Sequence, residues 1–232
     1  MLLKQKADQI LQAAQELVNH ATRMQDDLIG RLVIGLNAST YLLKTVPLIQ
    51  GMREVCPGID LTFTTSVSGA ILNRLRTHTI DLGFIFGISP DQDVISIPLT
   101  VVDLVIAAPK AWEAQIQQAE WADIARLPWI HSTGYCPFQM LIDQQFRDRG
   151  LTVSQIVHAD DEAIKSELVS AGLGLALLER GDAQTGNFAL WNHAPIRCTL
   201  SAAIAKDRQD DPLVSALLSQ VLQVWAVSAD VS

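Results

Sequence analysis

RLVIGLNASTYLLKTVPLIQGMREVCPGIDLTFTTSVSGAILNRLRTHTIDLGFIF, residues 31–86, changes its hydrophobic period four times. Arg31–Leu36 is a short apolar run that ends in the polar Asn37-Ala38-Ser39-Thr40. Tyr41, Leu42, Val46, Leu48, Ile49 and Met52 then recur at helical spacing, and Cys56-Pro57-Gly58 ends the pattern. Pro47 stands inside that helix and marks either a kink or a second start. Ile59–Thr65 alternates apolar and polar residues as a half-buried strand does, and Ser66–Gly69 is a polar turn. Ala70–Thr77 returns to helix with Ile71, Leu72 and Leu75 inward, and Leu82–Phe86 is a buried strand. The order β-α-β-α-β requires a parallel sheet with covering helices.

The same grammar continues toward the C-terminus. Val101–Ala108, Trp129–His131, Ile156–His158, Leu175–Leu178, Phe188–Trp191 and Arg197–Ala205 read as strands. Trp121–Leu127, Phe138–Arg149 and Asp161–Ala171 read as helices, and Pro212–Val227 as a closing helix capped by Asp211 with Pro212 in first position. Two α/β units result, a first of residues 30–100 completed by 205–228 and a second of 101–204. The chain crosses between them near Leu99–Asp103 and near Ser201–Lys206. Two lobes joined by two strands make a hinge with a cleft between them.

Toward the N-terminus, Leu3, Ala7, Ile10, Ala14, Leu17, Ala21, Met24 and Leu28 alternate at spacings of four and three, a heptad seam. No Pro or Gly interrupts it before Gly30. Residues 1–29 therefore form a helix of roughly 40 Å that asks for a partner helix, and pairing of two chains is expected. The competing reading is an amphipathic helix lying on its own domain, which Leu11 and Val18 would favour by widening the apolar stripe.

Composition excludes several functions. The chain has 232 residues, 49% of them hydrophobic, and a net charge of −8. An acidic body is a poor nucleic-acid surface. No apolar run reaches membrane-spanning length, and the N-terminus lacks a signal-peptide core, so a cytoplasmic location is expected. Cys56, Cys136 and Cys198 form no metal-ligand spacing, and no metal or cofactor is expected. Cys136 sits at a helix start, where a thiol could be activated, but a small buried hydrophobe is the simpler reading.

Val46-Pro47-Leu48-Ile49, Met52-Arg53, Cys56-Pro57, Ser68-Gly69, Leu72, Leu75 and Asp81-Leu82-Gly83-Phe84-Ile85 follow one another in an order and spacing that resembles the effector-binding domain of LysR-type transcriptional regulators. Leu168–Leu178, LVSAGLGLALL, resembles that family's LVxxGxGIxLLP turn. The likeness covers residues 1–228, the leading helix matching the family's linker helix. Cys56, Met52 and Glu179 stand where the family often has Tyr, Phe and Pro. The resemblance implies a type II periplasmic-binding-protein-like α/β fold of two lobes with an N-terminal linker helix. It also implies a homo-oligomer, dimer or tetramer, with antiparallel linker helices. DNA contact would come only through a winged helix-turn-helix domain that this sequence lacks.

In open α/β sheets, ligands bind beyond the carboxyl ends of the strands. Asn37, Ser39 and Thr40 follow the first strand; Thr65 and Ser68 follow the second. Gly87 follows the third, and Thr133 and Tyr135 follow a strand of the second lobe. Hydroxyls and free helix-start N–H groups suit a small anionic or zwitterionic effector, and the family places effector contacts at these loops. Ser39 or Thr40 could equally be an ordinary N-cap, and Gly87 a turn glycine. Asp160, Asp161 and Glu162 read as a solvated helix start, and His158 as a structural histidine. The expected function is therefore effector sensing within a transcriptional regulator. A stand-alone solute-binding protein of a transporter and an enzyme on this fold, such as a dehydratase acting on a cyclic acid, are the alternatives. No Ser-His-Asp or paired-carboxylate arrangement supports the enzyme.

Overall fold

The computed structural model describes residues 28–132 and 136–227. The expected linker helix of residues 1–29, apart from its last two residues, lies outside them. The elements run β1 (Gly30–Leu36), α1 (Thr45–Val55), β2 (Ile59–Thr65), α2 (Ser68–Arg76), β3 (Leu82–Phe86), β4 (Val94–Pro109), α3 (Glu113–Gln117) and α4 (Trp121–Arg126). There follow β5 (Pro128–His131), α5 (Pro137–Arg147), β6 (Ser154–His158), α6 (Glu162–Ser170), β7 (Ala176–Glu179), α7 (Arg180–Thr185), β8 (Phe188–Ala205) and α8 (Pro212–Val224).

The first unit is the parallel β2-β1-β3 ladder that residues 31–86 predict. Strands β1 and β3 read as apolar runs because both faces are covered, whereas the edge strand β2 keeps the alternation of a half-buried strand. Leu82, Phe84 and Phe86 of β3 enter one core with Leu48, Met52 and Leu217, while Ile85 enters another with Ile71, Leu72 and Leu75. Helix α8 packs back on this unit. A Cβ on Gly51 of α1 would lie 1.9 Å from Gln220 Nε2, so glycine there lets the Gln220 side chain of α8 lie against α1. Asp211 caps α8 by accepting from Leu213 N at 2.9 Å and Val214 N at 3.3 Å.

Pro47 resolves simply. The helix starts at Thr45, not Tyr41, so Pro47 falls in the first turn, where a missing N–H costs nothing. Lys44 ahead of it has a left-handed backbone, φ 49°. Its ammonium sits 4.3 Å from the centre of the Trp225 ring and donates to Val224 O at 3.4 Å, tying this turn to the end of α8.

Strands β4 and β8 are longer than the sequence pattern indicates, 16 and 18 residues. They run antiparallel along each other through both units. The N-terminal half of β4 and the C-terminal half of β8 complete the first sheet, with Gly83–Phe86 paired to Leu200–Ala203. The other halves join β7, and β7 meets β5 through Ile130 N to Leu175 O and Leu175 N to Pro128 O, both 2.9 Å. Leu200–Ala203 already lie beside β3, so the return crossing falls earlier than Ser201–Lys206. Pairing jumps from Leu104↔Ile196 to Ile106↔Trp191, leaving Asn192–Pro195 outside the regular ladder. That irregularity accommodates Pro195, which has no N–H to pair.

Candidate functional site

One cleft of about 970 Å³ opens where the carboxyl ends of β1, β2 and β3 face the second unit. From the first unit it is lined by Asn37, Ser39, Thr65, Ser66, Ser68 and Phe86; from the second by Phe138, Asp160, Asp161, Glu162, Asp182 and Phe188, with others. Its apolar floor joins the two units directly, with the Phe86 and Phe138 ring centroids 4.3 Å apart.

Ser68 is 3% exposed and is the most committed of the hydroxyls. Its Oγ accepts from Phe86 N at 3.1 Å and from Asn37 Nδ2 at 3.3 Å, so one side chain ties the ends of β1 and β3 to the start of α2. No side chain caps α2. The free N–H groups of its first turn are left for water or a ligand, and the helix start carries partial positive charge. Ser39 accepts from Leu42 N at 3.4 Å, closing a turn rather than capping α1. It faces the Asp182 carboxylate of the opposite unit across the cleft. Asn37 Oδ1 is buried with no hydrogen-bond partner among the described residues.

The second-unit wall is acidic. Asp161 caps α6, accepting from Ala163 N at 2.9 Å and Ile164 N at 3.0 Å. Glu162 accepts from Lys165 Nζ at 2.9 Å, and the lysine side chain is only 4% exposed. Burial pushes the Glu162 carboxyl above its ordinary value; Lys165 opposes this, and Asp182 and Asp161 add to it. Burial likewise raises Asp182, with the Ser39 hydroxyl opposing and Glu179 adding. Glu179 accepts from Asp182 N at 2.9 Å and thereby starts α7, a role that proline at that position could not fill.

The structure thus brings Asn37, Ser39, Thr65 and Ser68 to one cleft. Thr40 is not among the lining residues: it is exposed in the turn, and its carbonyl accepts from Thr45 N at 3.0 Å. Gly87 does not line the cleft either. Its φ of 80° makes it a turn glycine, its N–H donates to Thr199 O and its carbonyl accepts from Ser201 Oγ at 2.8 Å. Thr133 and Tyr135 lie outside the described residues. No sequence pattern singles out Asp182, Phe138 or Phe188, and Asp160–Glu162, a solvated helix start by sequence, line the cleft as well. No group of three acidic, histidine or cysteine side chains among the described residues could hold a metal ion.

Residues 25–226 match the LysR substrate binding domain family. The chain belongs to that family. It is 28% identical over 160 residues to the nitrogen assimilation regulatory protein nac of Escherichia coli K12, an alignment covering 68% of this chain and 52% of nac. It therefore spans about half the length of that relative. Among solved structures, the effector-binding domain of QuiR in complex with shikimate superposes with a TM-score of 0.74 at 17% identity, covering 86% of this chain and 98% of that one. Full-length CbnR in complex with its target DNA gives 0.66 at 15% identity, covering 95% and 78%. The fold is the two-lobed, type II periplasmic-binding-protein-like α/β fold of LysR effector-binding domains. The family is one of regulators, which sets the regulatory reading ahead of the transporter one and the enzymatic one.

Proposed function

We propose that this chain is the effector-sensing part of a LysR-type transcriptional regulator. The observation that carries the reading is the cleft lined from both lobes, with an uncapped helix start on one side and carboxylates on the other. A small anionic or zwitterionic effector binds there. It is held by Asn37, Ser39, Thr65 and Ser68 on the first lobe, with Thr133 and Tyr135 closing from the second. A ligand that touches both lobes stabilises one relative pose over others by its differential affinity. The β4–β8 ribbon conveys that pose to paired subunits, so binding at the cleft and at DNA become coupled.

The solved relatives support this by what they hold: QuiR has shikimate and CbnR has DNA. We place the protein in the cytoplasm as a homo-oligomer, its chains paired through the heptad seam of residues 3–28. Its DNA contacts come from a helix-turn-helix region distinct from these lobes. No helix among the described residues is long and apolar enough to cross a membrane.

A thermal-shift screen of metabolites, followed by calorimetry on Ser39→Ala and Thr65→Ala, tests the reading. Hits should raise the melting temperature, and at least one of the two substitutions should weaken them. Hits that bind both variants as tightly as the parent would place the effector elsewhere.

A further inference from the structure

The two walls of the cleft differ in charge. The first-lobe wall has no charged side chain; its polarity comes from hydroxyls, the Asn37 amide and the positive start of α2, a nine-residue helix. The second-lobe wall presents Asp160, Asp161, Glu162, Glu167 and Asp182. No Lys, Arg or His occurs among the described lining residues. Lys165 is the nearby cation, and it is buried behind the wall against Glu162. Thr133-Gly134-Tyr135 contain no cationic residue. A wall with this excess of carboxylates repels an organic anion approaching from the second-lobe side.

A second observation points the same way. The Asn37 amide gives its Nδ2 to Ser68 and turns Oδ1 into a buried position with no donor among the described residues. A ligand N–H or O–H group that reaches this oxygen would satisfy it, and a carboxylate would not.

We infer that the effector is a zwitterion rather than a simple organic anion, its carboxylate toward the start of α2 and its cationic nitrogen toward Asp182 and Glu162. This rests on the cleft being the effector site. Phe86, Phe138 and Phe188 provide an apolar floor for the body of such a molecule. Asp182 is the residue best placed to select it. It is partly buried and faces Ser39 across the cleft, and no cationic side chain among the described residues neutralises it. A cation there also relieves the mutual repulsion of Asp182 and Glu162.

The test uses matched probes on one body: L-phenylalanine, 3-phenylpropanoate and 2-phenylethylamine, and likewise L-leucine, 4-methylpentanoate and 3-methylbutylamine. Each is titrated at millimolar concentration into the full chain by calorimetry. The expected order is zwitterion, then amine, with the carboxylate last. Asp182→Asn, which preserves shape and an acceptor facing Ser39, should weaken zwitterion and amine by about tenfold or more, the worth of one charged hydrogen bond, and leave the carboxylate unchanged or tighter. Carboxylates that bind best, weakened by Ser39→Ala and tightened by Asp182→Asn, would overturn the zwitterion and leave the cleft as the effector site. Binding indifferent to both substitutions would overturn the cleft reading as well. Failure of all six probes to bind would overturn the inference.

Discussion

Ser68→Ala separates scaffold from ligand contact. Ser68 Oγ is buried and serves as acceptor for the Phe86 backbone N–H at 3.1 Å and for Asn37 Nδ2 at 3.3 Å. Truncation leaves the Phe86 N–H without that acceptor inside the fold, a loss of about 1–3 kcal/mol. Asn37 is part-buried and its bond is long, so its loss adds about 0.5 kcal/mol at most. Removing one oxygen creates little cavity. The expected cost is therefore roughly 1–3.5 kcal/mol, or a fall of about 2–14 °C in melting temperature for a domain of this size. Urea denaturation followed by circular dichroism measures it, with Thr65→Ala as control, because Thr65 lines the same cleft but is exposed and should move stability by less than about 0.5 kcal/mol. Equal midpoints for the two variants would show that Ser68 is not the strut proposed here. Any effector affinity measured on Ser68→Ala has to be compared with this stability loss before a ligand contact is claimed.

Other outcomes follow from the packing and the charges. Gly83→Ala places a Cβ 2.2 Å from Ile71 Cγ2 in a fully buried site, so overpacking should cost about 1–3 kcal/mol in urea midpoint. Lys165→Ala removes a buried ammonium from Glu162; the expected loss is about 3 kcal/mol, the low end for a broken buried pair because the Glu162 carboxylate keeps access to water, and Glu162→Gln in the same chain should restore part of it. For Asp211, burial disfavours the charged form, but Arg208 and the Val214 and Leu213 amides outweigh it and hold the carboxyl below its ordinary value. Its stabilisation is present above the ordinary carboxylate pKa and lost as pH falls through the lowered one, so Asp211→Asn should flatten the acid limb of a stability–pH curve. Asp182 has the opposite sign: with its carboxyl raised, stability falls as pH climbs from the ordinary value through the raised one. Asp182→Asn should therefore be at least as stable as the parent at neutral pH, with the difference vanishing in acid; a less stable variant at neutral pH would contradict this.

Local period and strand-end logic reach far in this chain. They read the β-α-β-α-β core of residues 31–86, the Asp211 cap and Pro212 start of α8, and the approach of Asn37, Ser39, Thr65 and Ser68 to one cleft. They fail where the deciding partner is distant. Thr40 and Gly87 occupy the same kind of loop as Ser39, yet their backbones are committed to Thr45, Thr199 and Ser201. Asp161 reads as a helix start, and it does cap α6. That this start also faces the first lobe depends on packing between units more than a hundred residues apart. Helix α7 has no apolar period in RGDAQT, so Asp182 carried no signal. His193-Ala194-Pro195 divides β8 into two apparent strands, because an irregular stretch of a long strand looks like a loop to any local pattern.

The path of β4 and β8 also bears on how the protein is made. The second lobe is inserted within the first, since β4 leaves the first sheet and β8 returns to it more than ninety residues later. On a ribosome the β2-β1-β3 ladder emerges before the second lobe, but the strand beside β3 and the helix that covers Leu48 and Met52 are made only after it. The second lobe can complete its sheet sooner. A nascent chain stopped before Leu200 would hold an unpaired β3 edge, a template for wrong partners. The order of synthesis therefore exposes the first-formed lobe for longest, and the ribbon that joins the lobes is also what ends that exposure.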